Sequence, residues 1–457
     1  MDHQKTYLCT VPALIQLAKR SLNTGCTYDS SQAPLAGSFN WAVVLSFDDG
    51  VEWLLRSPRT TYALDETTTR AVIASEVATL RYIKQNSSIP VPNRVRIGHN
   101  GSCGLLKAEQ KQKVMVQLGK VMDQFSQLLF DKIRSLFEEE GRFRVKSCLL
   151  PSFLFHNRYE LQGICRGPFS EENEYYRALL SVYCGHIQHL SLGHHALFTP
   201  VPVPKEYDCY DSYLAATDRW NGFVTLGSRV ENSGNRLDYF IAGQFLEKMI
   251  PRLTNNFEEF KDRHMGRFTL YHPDLSANNI FVDEECNITC IIDWGFVSTV
   301  PVDLLLATPG LPHPRGDLDL SLTSAFRSGF TDRSYPISWE MGRMLWLFMR
   351  LVNMDSLQDY HLLAELYTLT YSSQATLLLH AFNEQYSQPA ITDMRNILSA
   401  NDETAADIAR HEKGYFSNMS LQRYTVARKI DLASKLNTIF VADKRLWLWI
   451  EKALSAD

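Results

Sequence analysis

No stretch of this 457-residue chain approaches the roughly 18–20 consecutive apolar residues that cross a bilayer. A membrane partner is therefore not expected. A secretory leader is not expected either, because Asp2 stands at the start and no basic-then-apolar pattern follows. The Val11–Leu22 stretch, with Lys19 and Arg20, reads as a first surface helix. A mitochondrial presequence is the alternative there, and the cytoplasm is the default expectation. Nine cysteines are scattered without a CxxC pair, and Cys286 and Cys290 lack a second pair to complete a zinc site. They read as thiols in a reducing compartment. Positive charge is not in excess: the formal net charge is −5, which argues against a nucleic-acid partner. Internal repeats and low-complexity tracts are absent, and nothing specifies an oligomeric state.

What is present is an ordinary globular composition, 45% hydrophobic and 21% charged. The length suits two or three domains, or one bilobed unit with additions. Residues Leu35–Arg56 read as a β-hairpin: β-formers over Phe39–Phe47, the turn signal Asp48-Asp49-Gly50, then Val51–Arg56. The small residues Ala36-Gly37-Ser38 precede it, where a backbone could approach a ligand closely. Thr67–Gln85 reads as a helix capped by Thr67 or Thr68. Ile89-Pro90-Val91-Pro92 then enforces an extended segment, and Arg94–Ile97 allows one more short strand. From Lys107, apolar residues at helical spacing from Val114 through Phe137 predict one long amphipathic helix closed by Glu138-Glu139-Glu140-Gly141. Residues 142–170 look irregular with short strands. Helical patterns return near Glu171–Leu192 and Asp238–Leu253. Phe268–Ile292 reads as strand, loop, strand, turn, strand, and the chain beyond Pro336 reads as helical.

The chemistry concentrates in Tyr271-His272-Pro273-Asp274-Leu275-Ser276-Ala277-Asn278-Asn279, followed by Ile292-Asp293-Trp294-Gly295. Moving a phosphoryl group asks the protein for positioning and charge stabilisation more than for covalent help. One carboxylate must sit beside the acceptor, and a second carboxylate with an amide oxygen must face Mg²⁺, a cation that prefers hard oxygen ligands. Asp274, Asn279 five residues later, and an apolar-apolar-Asp-Trp-Gly after a hairpin provide that set. Turn bonds to backbone and a strand-end cap are the competing structural explanation.

This segment resembles the aminoglycoside phosphotransferase and choline kinase group of the protein-kinase-like superfamily, most of all its fungal branch. Similar stretches are Phe39-Asn40, Ser88–Pro92, Phe130–Ile133, Gly167-Pro168-Phe169, Asn235–Tyr239 and Thr299-Val300-Pro301. The resemblance implies an α+β, protein-kinase-like bilobed fold, with a small β-rich N-lobe carrying one helix and a larger, mainly helical C-lobe. It implies a helical segment over 1–34, a nucleotide-binding N-lobe over 35–106, a catalytic C-lobe core over 107–335 and a helical remainder over 336–457. It implies ATP and Mg²⁺ as cofactors and a small-molecule hydroxyl or amine as acceptor. Asp274 would be the catalytic base, Asn279 and Asp293 the metal ligands, and His272 a loop support. Gly37, Ser38, Phe39 and Asn40 would cover the phosphates. Arg56 would replace the usual strand lysine and pair with Glu76.

One departure bears on activity. Between Val95 and Lys107 the chain is too short for the hairpin and linker that hold adenine in such proteins, which gives the alternative of a catalytically impaired binding module. A metal-dependent hydrolase built on His272, Asp274 and Asp293 is a third reading, and it lacks clustered histidines. Asp303, Asp317 and Asp319 are acidic candidates for contacting a cationic substrate, against the plainer reading of a solvated surface.

Overall fold

The structure is a computed structural model. It describes residues 25–28, 35–36, 40–50, 52–58, 64–92, 106–192, 209–214, 233–254, 268–311, 319–331, 338–354, 359–372 and 375–400, with a few isolated positions besides. For strand residues 35–36, 40–42 and 52–58 it describes the backbone alone. The chain is a mixed α and β protein with small sheets and many helices.

The first sheet joins β1 (Cys26–Thr27), β2 (Leu35–Ala36), β3 (Asn40–Phe47) and β4 (Glu52–Pro58) in antiparallel pairs. The β3–β4 register places Ser46 opposite Glu52 and Ala42 opposite Arg56. Gly50 closes the turn at φ 77°, a conformation an L side chain resists, and its N–H donates to the Phe47 carbonyl at 2.9 Å.

Helix α1 (Glu66–Asn86) follows. Asp65, not Thr67 or Thr68, is its N-cap: the carboxylate accepts from the Thr68 amide at 2.9 Å and the Thr68 hydroxyl at 2.7 Å. The helix stops at Ser87, ahead of the Ile89–Pro92 segment.

Helix α2 (Ala108–Phe125) buries Val114, Met115, Leu118, Val121, Met122 and Phe125. The expected continuation to residue 141 does not occur. The Thr269 hydroxyl donates to the Phe125 carbonyl at the helix end. The chain then enters β5 (Leu129–Phe130), which pairs with β8 (Phe268–Tyr271). Next comes a hairpin of β6 (Ser135–Glu139) and β7 (Arg142–Lys146). Its two-residue loop, Glu140 at φ 52° and Gly141 at φ 72°, has the left-handed backbone that tight hairpins need. The glycine read as a helix stop is a hairpin turn. Pairing with a strand distant along the chain decided the conformation, and helical spacing cannot register such a partner.

The remaining helices are α3 (Pro151–Leu154), α4 (Glu172–His189), α5 (Ser233–Thr254), α6 (Leu320–Ser328), α7 (Trp339–Asn353), α8 (Asp359–Tyr371), α9 (Ala375–Gln385) and α10 (Pro389–Ser399). Beyond Pro336 the described elements are all helices, as the pattern predicts. β8 also pairs with β11 (Ser298–Pro301), and β9 (Ile280–Val282) pairs with β10 (Ile288–Ile291).

Two apolar cores result. One gathers α4, α5, α7 and α8 around Tyr175, Tyr176, Leu246 and Phe348. The other packs α2 and α6 against Leu270, Ile280, Ile291 and Trp294, directly beneath the Asp274–Asp293 region. α2 and the end of α6 approach through glycines. A Cβ on Gly119 would stand 2.1 Å from the Phe326 carbonyl oxygen, and one on Gly329 would stand 2.1 Å from that of Val116. No described helix is long and apolar enough to cross a membrane.

Candidate functional site

β8 delivers the chain to His272, which is 1% exposed. Its ring is held from both sides. The Asp274 amide donates to Nδ1 at 3.2 Å, so Nε2 carries the proton and donates to the Ile292 carbonyl at 3.0 Å. Burial lowers the His272 pKa. The Ile292 carbonyl and the charges of Asp293 and Asp274 oppose that shift without reversing it. The imidazole is therefore neutral at pH 7. With both nitrogens engaged by backbone, neither is left to ligate a metal, which disfavours the hydrolase reading.

A short 3₁₀ turn, Ala277–Asn279, aims Asn279 back at the loop. Its Nδ2 donates to the Asp274 carbonyl at 2.9 Å and to Asp274 Oδ2 at 3.0 Å. Asn279 is 8% exposed, so these bonds stand in for lost water. The Asn279 carbonyl in turn accepts from the Ile292 amide at 2.9 Å. Ile292 thus ties both ends of the loop with its one peptide donor and one peptide acceptor. One residue earlier, the Ile291 amide donates to the Pro90 carbonyl at 2.8 Å, which anchors the Ile89–Pro92 segment to β10.

Asp293 follows at φ 65°, a left-handed conformation that aspartate tolerates better than branched residues do. Trp294 is buried behind it. Its indole N–H donates to the Ile291 carbonyl at 2.6 Å, and its ring meets His272 edge-on at 4.8 Å. Over Gly295, helix α1 closes in. The point where a Gly295 Cβ would stand is 3.9 Å from Asp293 Oδ1, 3.9 Å from Glu76 Oε2 and 3.9 Å from Val72 Cγ1.

The predicted residues divide into three groups. His272, Asp274 and Asn279 are linked by hydrogen bonds through Ile292, Asp293 is the next residue along the chain, and Asp293 and Glu76 both come near the Gly295 position. Asn40 and Arg56 lie on β3 and β4, with only their backbones described, so the Arg56–Glu76 pair lies outside the described residues. Gly37, Ser38 and Phe39, the linker residues 93–105 and Asp317 also lie outside them. Asp319 serves its own helix: it caps α6, accepting from the Ser321 amide at 2.7 Å. Those bonds, the Ser321 hydroxyl first, hold its carboxyl below the usual range. Sequence reasoning missed Ile292, whose part is played by its peptide group. It also gave Trp294 no role, although a large aromatic between an aspartate and a glycine is a visible packing signal.

The donor set suits a hard cation. With Nδ2 committed to Asp274, the amide oxygen of Asn279 is a hard-oxygen donor, and the carboxylate of Asp293 is the kind of oxygen ligand such a cation takes. Among the described residues, no group of three or more histidine, cysteine, aspartate or glutamate side chains can hold a metal.

No family model matches the chain. No curated protein matches it either. Three solved structures are similar over most of their length. One is a spectinomycin phosphotransferase, APH(9)-Ia, in complex with ADP and spectinomycin: identity is 13%, coverage 85% of this chain and 97% of that one, and the TM-score 0.37. Another is a macrolide 2'-phosphotransferase type I, at 14% identity, 85% and 97% coverage and a TM-score of 0.32. The third is the macrolide 2'-phosphotransferase MphH from Brachybacterium faecium, at 14% identity, 86% and 99% coverage and a TM-score of 0.33.

Proposed function

We propose that this chain is a phosphotransferase that moves a phosphoryl group from ATP, with Mg²⁺, to a hydroxyl or amine of a small molecule. The observation that supports the reading is the crossing at Ile292, which ties the His272–Asn279 loop, with Asn279 bonded to the Asp274 carboxylate, to the residue just before Asp293. Asp274 takes the proton of the acceptor as the new bond to phosphorus forms and the bond to the ADP leaving group breaks. The Asn279 amide holds the Asp274 carboxylate in place for that transfer, and neutral His272 fixes the loop backbone without joining the chemistry. Asn279 and Asp293 would hold Mg²⁺, which when bound supplies positive charge to the phosphate oxygens. Glu76, which approaches the Asp293–Gly295 turn, would pair with the strand cation, a part we assign to Arg56. The nucleotide phosphates would lie under Gly37–Asn40, between the lobe of residues 35–106 and the core of residues 107–335.

A thermal titration with ATP and magnesium tests the reading. Stabilisation at millimolar nucleotide, followed by ADP formation with an alcohol or amine acceptor, is the expected result. An unshifted melting temperature removes it.

A further inference from the structure

One hairpin separates Asn279 from Asp293: β9 begins at the residue after Asn279, and β10 ends two residues before Asp293. The base of the hairpin is held by the Ile292 crossing and by the bond from the Ile291 amide to the Pro90 carbonyl. Its tip is a turn built around Asp283. That carboxylate accepts from the Glu285 amide at 3.0 Å, the Asn287 amide at 2.7 Å and Asn287 Nδ2 at 3.0 Å. Within the turn Cys286 takes φ 62°, a left-handed conformation.

Gln117 of α2 meets this tip with both ends of its amide. Its Nε2 donates to the Cys286 carbonyl at 2.8 Å, and its Oε1 accepts from the Ile288 amide at 2.8 Å. A side-chain amide carries the same kinds of donor and acceptor as a peptide group. Here it bonds the residues on either side of Asn287, as a residue of a parallel strand bonds its neighbour. One helical turn earlier, Lys113 Nζ donates to the Glu285 carbonyl at 2.5 Å. The far end of α2 touches the same site: the Phe125 carbonyl accepts from the Thr269 hydroxyl of β8, and the Phe125 ring meets Trp294 at 5.9 Å. One helix therefore fixes the strand before the Asp274 loop, the tryptophan after Asp293 and the tip of the hairpin between them.

β9 has three residues and β10 four. The hairpin is therefore about 10 Å long, and its tip and base move as one body. A tilt at the tip changes the spacing and direction of the two residues that flank the base. We propose that Gln117 is a positioning residue for Asn279 and Asp293, setting the affinity of that pair for Mg²⁺ by clamping the hairpin between them. The proposal rests on the phosphotransferase reading and adds to it a residue that touches neither nucleotide nor acceptor.

Melting of the full chain at a fixed millimolar ATP concentration, with magnesium raised stepwise, tests this. Wild type should show a saturable rise in melting temperature. Gln117→Met keeps the length of the side chain and loses both bonds. It should need about tenfold more magnesium for half of that rise. Gln117→Glu keeps an acceptor for the Ile288 amide and loses the donor to Cys286, so it should fall between the two. A purely structural glutamine would lower the melting temperature without ligand and leave the half-rise magnesium concentration at the wild-type value. That result overturns the proposal and leaves the phosphotransferase reading standing. A wild type with no magnesium-dependent rise overturns both. Should Gln117→Met fail to fold, Gln117→Glu decides the matter alone: a half-rise at the wild-type magnesium concentration overturns the proposal.

Discussion

His272 and Ile292, twenty residues apart, are joined by a 3.0 Å hydrogen bond from the imidazole Nε2 to the peptide carbonyl. The Asp274 amide occupies the other ring nitrogen at 3.2 Å. His272→Phe would keep the ring's bulk against Trp294 and leave both backbone partners unsatisfied. Each such loss costs about 1–3 kcal/mol when buried. Urea unfolding should place the variant about 2–4 kcal/mol below wild type. Unchanged stability would show that the histidine is not the clamp.

Asp274→Ala separates base from scaffold. In a phosphoryl-transfer assay it should lower turnover by about 10²–10⁴, while ATP–magnesium still raises the melting temperature. Asp293→Asn should do the reverse and weaken the nucleotide-dependent shift first. A variant of Asp274 with full turnover would remove it as the base.

The crossing of α2 and α6 has no room for a methyl group at Gly119, because the obstacles are backbone atoms, the Phe326 carbonyl oxygen and Gly329 Cα. Neither can rotate aside as a side-chain tip can. Gly119→Ala should destabilise by about 1–3 kcal/mol, despite alanine's better helix propensity. Gly50→Ala should also be unfavourable, but for its φ of 77° and not for space, since nothing lies within 4 Å of the added carbon.

Acid sensitivity should come from buried histidines. His186 accepts from Arg158 Nε at 3.1 Å and donates to the Ser191 carbonyl, which fixes it neutral. Burial and then the Arg158 charge depress its pKa well below the ordinary value of 6.5. The folded state therefore binds fewer protons than the unfolded one below pH 6.5. Stability is complete above that pH and falls as pH drops, by up to about 1.4 kcal/mol per pH unit for each such histidine. His186→Gln should flatten the slope between pH 6.5 and 5 in urea titrations. Glu172 has the opposite sign: its raised pKa makes stability decline from about pH 4.5 toward pH 8.

Helix α1 brings Glu76 and Val72 to the Asp293–Gly295 turn. Its cap at Asp65 is exposed, and its bonds to the Thr68 hydroxyl and amide hold the carboxyl low. Asp65→Ala should cost about 1 kcal/mol. Below the ordinary carboxylate range, wild type should lose the same contribution, and the two proteins should converge in stability.

Some elements were legible in the sequence and others were hidden for physical reasons. The hairpin at residues 40–58 was readable because Asp48-Asp49-Gly50 is a local signal between two runs of β-formers. The Asp274–Asn279 loop and its following hairpin were readable because residue type and spacing both point the same way. The stretch from Leu128 to Gly141 was misread because its partners, β8 and Phe169, lie far along the chain. The cap of α1 was misplaced by two or three residues, since Asp65, Thr67 and Thr68 are all competent caps and only the backbone conformation chooses among them.

Ile292 contributes a peptide donor and a peptide acceptor to the crossing, and its side chain takes part in neither bond. Every amino acid except proline carries that same pair of groups. Substitution can therefore run through most of the alphabet at this position while the geometry persists. The residue that ties the candidate site together does so with groups that its side chain does not supply.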